Sequence, residues 1–180
     1  LDDSLDLNIA VFNMDFEDLQ TSTFDGIAGF YVENGAQSTS QGVEVDSRWL
    51  LADGWTLSGN VAYLDFTWDE FSGAKCFHSA MYTPDNVEAN GVTCNMADKP
   101  GAYAPKFSGA VALDYWHDLG SGLEFSANIE TEFKSSFYTN YDINPFTEQS
   151  GYGKLNARVE VGDYDAGWSV ALVGKNLTDR

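Results

Sequence analysis

The chain has 180 residues and a formal net charge of −19, with 28 Asp and Glu against nine Lys and Arg. Cations this sparse form no patch that could neutralise phosphates, which argues against nucleic acid and anionic lipid headgroups as charge-driven partners. No apolar run reaches eighteen residues and no charged-then-apolar leader opens the sequence, so neither a transmembrane helix nor a signal peptide is read here.

Seven segments carry a strand-like pattern, and none reads as a helix. The first, 5–20, is untidy: Leu7, Ile9 and Val11 share one parity, whereas Phe12, Met14 and Phe16 share the other. A bulge, or an exit from an apolar layer partway along, is expected there. A long connection over 21–37 leads to the second segment, 38–52. There Val43, Val45, Ser47, Trp49 and Leu51 oppose Glu44, Asp46 and Arg48. The short turn Ala52-Asp53-Gly54 joins it to 55–69, and a long connection follows over 70–104. Pro105 opens the fourth segment, 105–117, at a position where a missing amide donor is tolerable. A short turn at 118–122 leads to 123–136, where Leu123, Phe125, Ala127, Ile129, Thr131 and Phe133 alternate with Glu124, Ser126, Asn128, Glu130 and Glu132. After a connection at 137–148, the segment 149–162 sets Leu155, Ala157, Val159 and Val161 against Tyr152, Lys154, Asn156, Arg158 and Glu160. A turn at 163–167 precedes the last segment, 168–177.

In the three best-patterned strands no charge falls on the apolar parity. In lipid a Lys or Arg in the middle of that face would cost about 2–4 kcal/mol, which gives the pattern a physical cause. Connections alternate strictly between long and short, so the reading is an antiparallel meander with its long loops on one side. Several strands are about twice the five or six residues usual in globular sheets. Trp55, Trp116, Tyr164 and Trp168 lie beside the short turns. Phe66, Trp68, Phe71, Tyr103, Phe107, Phe133 and Phe137 lie where strands meet long loops. Two such bands suggest interfacial girdles. The fold expected is all-β: an antiparallel up-and-down transmembrane β-barrel, here a fragment of about seven strands. In that frame Glu44, Asp46, Arg48, Glu130, Glu132, Lys154 and Arg158 are lumen-facing.

Cys76 and Cys94 share one connection, and an even cysteine count in a loop points to a disulfide and an oxidising compartment. With His78 they fall short of a tetrahedral metal set, for want of a second His or a paired Cys-x-x-Cys, so no metal site is assigned. His78 and His117 belong to no nucleophile motif, and no catalytic residue or cofactor is assigned. Asp65, Asp69 and Glu70 lack the spacing of a defined calcium loop. Tyr138, Tyr141 and Phe146, in the connection at 137–148, are the candidates for stacking on a planar chelate.

Four stretches together resemble the TonB-dependent receptors of Gram-negative outer membranes: LNIAVFNMDFEDLQ at 7–20, QGVEVDSRWLLADGWTLSGNVAYLD at 41–65, YAPKFSGAVALDY at 103–115 and GKNLTDR at 174–180. The resemblance implies a plugged barrel of 22 strands. Residues 1–180 would be the C-terminal portion of its barrel domain, with the plug, the TonB box and earlier strands upstream and a final hairpin after Arg180. It further implies an outer-membrane receptor that imports a scarce nutrient, most readily a ferric siderophore or similar chelate. The partners implied are the TonB complex, the chelate ligand and outer-membrane lipid. A passive porin-like barrel, and a secreted β-sandwich that binds carbohydrate or serves adhesion, are the alternative classes.

Overall fold

A computed structural model describes residues 4–24, 29–79 and 81–179. Strands β1 (Leu5–Phe24), β2 (Phe30–Ala52) and β3 (Trp55–Glu70) are followed by a two-residue ribbon of β4 (Ala74–Lys75) with β5 (Thr93–Cys94). Strands β6 (Phe107–Gly120) and β7 (Leu123–Lys134) precede a second short ribbon, β8 (Phe137–Tyr138) with β9 (Glu148–Gln149). Strands β10 (Tyr152–Asp163) and β11 (Trp168–Gly174) complete the chain. The seven long strands make one sheet in the order β1-β2-β3-β6-β7-β10-β11, every pairing antiparallel. It is the open, seven-stranded meander expected from the sequence, a barrel section whose edges β1 and β11 do not meet.

Turn chemistry explains the tight ends. Ser121 and Gly122 both have positive φ, 59° and 82°, the conformation a two-residue type I′ hairpin demands between right-twisted strands. Gly54, at φ 76°, brings its backbone so close to Trp116 that an added Cβ would lie 2.1 Å from that residue's carbonyl oxygen. Glycine is the residue that fits both requirements.

The connection expected over 21–37 is mostly strand instead, since Gln20 to Phe24 pair with Asn34 to Phe30. Residues 25–28 of that connection, and Arg180, lie outside the described residues. The hairpin escaped notice because alternation arises only where one face meets an apolar medium, and no apolar parity marks 21–34. Pro105 also lies outside the sheet, two residues before β6 begins at Phe107. The 3₁₀ turn at Pro145–Thr147 is capped by Asn144, whose side chain accepts from the Phe146 amide at 2.9 Å.

The sheet's register sorts residues into two faces. On one, Leu5, Trp49, Leu57, Leu113, Ile129 and Ala157 form a continuous row across six strands. Further rows on that face carry Ile9, Val45 and Val61 on one side and Tyr115, Ala127 and Val159 on the other. Many of these are exposed in the isolated chain, Ile9 at 62 % and Leu5 at 51 % among them. An apolar surface of this extent is not left to water. Between Trp55 and Tyr63, outermost aromatics of this face on β3, the strand rises about 27 Å at ~3.4 Å per residue. That spans the ~25 Å band of an outer-membrane barrel.

Beyond Tyr63, toward the long loops, the polarity of the two faces exchanges. The formerly apolar parity now carries Asn13, Gln41 and Asp65, then Asp15, Thr39 and Thr67. Thr39 Oγ1 donates to Asp69 at 2.7 Å and lies 3.3 Å from the Asp15 carboxylate. The opposite parity turns apolar, with Phe12, Met14 and Phe16 on β1 and Phe66 and Trp68 on β3. No register shift interrupts β1 from Leu5 to Phe16; the irregularity falls later, at Phe16–Leu19. Of the two expectations for β1, an exit from the apolar layer therefore accounts for the mixed parity.

The buried core of the chain sits at this loop end. Ala36, Trp68, Phe71, Ala74, Cys76, Cys94 and Met96 form one cluster, with Leu19, Phe66, Val87 and Ile143 against it. Phe66 and Trp68 are thus not members of a lipid-facing girdle as expected; they lie on the opposite parity and pack edge to face at 5.2 Å under the 71–106 connection. Phe71 joins them, 4.9 Å from Trp68. The outer aromatic band is formed by Tyr63 and Phe107, 5.1 Å apart, and by Phe133, whose ring covers Gly109. The band at the short turns is Trp55 with Tyr115 at 4.5 Å, and Phe125 beside Tyr115 at 6.1 Å. Trp116, on the other parity, donates its indole N–H to Glu124 at 2.9 Å instead.

Candidate functional site: the polar face and the loops above it

Alternation places the charged residues of β2, β7 and β10 on one face, and register decides which of them meet. Arg48 lies between Asp6 and Ser58, and Asp46 between Asn8 and Asn60. With Glu130 they line one recess of about 390 Å³, formed by Asp6, Asn8, Asp46, Arg48, Asn60 and Glu130 with small residues at its floor. Glu132 stands opposite Lys154, and Glu130 opposite Asn156, whose amide donates to it at 3.5 Å. Arg158 lies nearer the short turns, beside Asn128, and forms an ion pair with Glu160. Asn128 donates to Asp114 at 2.8 Å. Glu44 stands apart from these groups, between Ala10 and Ala62. All seven charged residues singled out in the sequence share this face, in three separate groupings plus Glu44. Asp6, Asn60, Asp114 and Asn128 extend it, and their parity in the sequence already marks them.

Above the face stand the two longer loops. Cys76 and Cys94, 18 positions apart in the sequence, form a disulfide with Cα atoms 5.2 Å apart. In the chain-entropy model such a closure limits unfolded freedom by about 3 kcal/mol. The same loop is held by polar contacts: Asn86 donates to the Asn95 carbonyl at 2.7 Å, and the Gly73 amide to Glu88 at 3.2 Å. Lys99 pairs with Asp85 at 3.3 Å, on a well-exposed carboxylate that adds little. A non-reduced digest of the mature protein should yield the Cys76 and Cys94 peptides joined; recovery of both as free thiols from native outer membranes would count against the bridge.

Of the three aromatic loop candidates, Phe146 is 60 % exposed and Tyr141 61 % exposed. Tyr138 is half-buried in the β8–β9 ribbon, its carbonyl accepting from the Tyr103 amide at 2.8 Å. No ring contact joins the three to each other among the described residues. Phe146 instead meets Phe77 at 5.8 Å and Tyr82 at 6.4 Å, side chains of the disulfide-bearing loop. Sequence reasoning missed Phe77 and Tyr82. The one available signal was the adjacency of Phe77 to Cys76, a covalently fixed point.

Comparison with known proteins bears out the architecture. A family model described as TonB dependent receptor-like, beta-barrel matches residues 1–177. Among solved structures, the ferric yersiniabactin uptake receptor FyuA from Yersinia pestis superposes with TM-score 0.71 at 15 % identity, over 99 % of this chain and 23 % of its own. The siderophore receptor PiuA from Acinetobacter baumannii gives 0.67 at 16 % identity, over 100 % of this chain and 23 % of its own. The ferric-catecholate import receptor Fiu from K12 E. coli gives 0.60 at 16 %, over 100 % and 22 %. At such identities the likeness is one of fold, and the chain spans under a quarter of each receptor's length. No curated protein matches the chain. The match across 177 residues shows that this chain belongs to the TonB-dependent receptor-like β-barrel family.

Proposed function

We propose that this chain is the C-terminal portion of the barrel domain of an outer-membrane receptor that takes up a scarce nutrient, most readily a ferric siderophore or similar chelate, with energy supplied through TonB. The observation that carries the reading is the sheet's two-sidedness within a receptor-family match: an apolar face bounded by aromatic bands, and a charged face that continues into a closed-over, disulfide-held loop cap. In this reading the apolar face meets lipid, and Glu44, Asp46, Arg48, Glu130, Glu132, Lys154 and Arg158 face the lumen. The plug and the TonB contact belong to the parent protein outside this chain. The three solved receptors that share its fold are named for siderophore or ferric-chelate uptake, which supports the substrate class.

A passive porin would share the alternation and the bands. The two are separated by uptake. Deleting the parent gene from its host should abolish accumulation of radiolabelled iron from at least one ferric chelate, and loss of TonB should do the same. Accumulation that persists without TonB, and that falls to the same extent for unrelated small solutes when the gene is deleted, would identify a pore instead.

A further inference from the structure

Among the described residues the loops at 71–106 and 137–148 meet at three points. At the root the Tyr103 amide donates to the Tyr138 carbonyl at 2.8 Å. Farther out Ile143 packs against the buried cluster that contains both cysteines. Near β9 the Phe146 ring lies 5.8 Å from Phe77 and 6.4 Å from Tyr82. The seat of that ring is built by the disulfide-bearing loop. Phe77 follows Cys76 directly, and reciprocal backbone hydrogen bonds between Ser79 and Tyr82, at 3.0 and 3.3 Å, set the Tyr82 ring 6.3 Å from Phe77.

Within 137–148 the backbone bonds are local. The Thr139 amide donates to the Thr147 carbonyl at 2.9 Å, the Ile143 amide to Asn140 at 3.1 Å and the Thr147 amide to Asn144 at 3.0 Å. They close a turn that stands on a ribbon of two residues per strand, and a hairpin that small is not stable on its own in water. Its order is therefore borrowed from the surface it packs on, which is the disulfide-bearing loop. Phe146 stays 60 % exposed on its seat, so the contact buries little and depends on the seat being held in place. The covalent closure of 76–94 supplies that hold. We infer that the two loops form one cap that orders and opens as a unit, and that the Cys76–Cys94 bridge thereby supports a loop containing neither cysteine.

The test is hydrogen exchange read by mass spectrometry on the whole receptor in detergent, with heat-modifiable mobility confirming a folded barrel. In Cys76→Ser combined with Cys94→Ser, peptides covering 139–147 should exchange about tenfold faster, the factor that ~1.4 kcal/mol of lost coupling gives, while peptides from β6 and β7 keep wild-type rates. Phe146→Leu should in turn speed exchange of the Ser79 and Tyr82 amides, because coupling between two elements is reciprocal. Phe146→Tyr, which keeps the ring on its seat, should leave them at the wild-type rate. The amides of Glu88 and Asn95, bonded to Thr93 and Asn86 within the same loop, should not respond to either change. Unchanged exchange at 139–147 in the disulfide-free variant overturns the inference, as does an acceleration that extends equally to β6 and β7. If the disulfide-free variant does not assemble, Phe77→Leu decides in its place: faster exchange at 139–147 supports the single cap, and wild-type exchange there overturns it.

Discussion

Ile129→Arg should sharply reduce the amount of folded receptor in the outer membrane, whereas Asn128→Arg, one residue away, should be tolerated. Ile129 lies mid-row on the apolar face, between Leu113 and Ala157, while Asn128 lies on the charged face between Asp114 and Arg158. An unpaired guanidinium near the middle of the hydrocarbon costs about 2–4 kcal/mol, comparable to a large share of a barrel's margin of stability. Facing the lumen, the same group finds water and the nearby Asp114 carboxylate. The measurement is the folded fraction, read by heat-modifiable electrophoretic mobility of outer-membrane fractions. Single cysteines at the two positions, in a background lacking Cys76 and Cys94, report the same geometry through a membrane-impermeant thiol reagent. If position 129 labels readily and 128 does not, the facing is inverted, and with it every lumen assignment.

Trp68→Ala should loosen the loop cap without preventing barrel assembly. Trp68 is 7 % exposed and touches both Phe66 and Phe71 in the cluster that anchors the 71–106 connection. Truncating a buried Trp typically costs about 3–5 kcal/mol, through lost transfer energy and the cavity left behind. Since the cluster stands beyond the apolar band, the loss should fall on the loop. Protease added to intact cells should cleave within 71–106 in the variant and spare the wild type, with the amount of folded barrel unchanged. A variant that fails to assemble, as Ile129→Arg is expected to, would return Trp68 to the lipid girdle and undo the polarity exchange described above.

What could be read in the sequence, and what could not, follows from where the forcing medium acts. A strand with hydrocarbon on one side and water on the other must alternate, and that constraint is local. It made the strands at 42–51, 123–133 and 151–161, the tight turns at Gly54 and Gly122, and the sorting of charged residues onto one face legible from residue order alone. The family, too, was written in short stretches of residues. Above the membrane water reaches both faces and the constraint vanishes, so the upper hairpin pairing Gln20–Phe24 with Phe30–Asn34 left no periodic trace. There an aromatic residue at a strand end means either a lipid anchor or a core residue. Composition does not distinguish Tyr63 from Trp68. Their parity against the whole sheet does, and the 71–106 connection folding back over one face gives Trp68 its neighbours. The same holds for the sites. That Asp46 and Arg48 share a face was fixed by their spacing, but their meeting with Asp6, Asn60 and Glu130 around one recess follows from the register of five strands, a long-range pairing that no local pattern encodes.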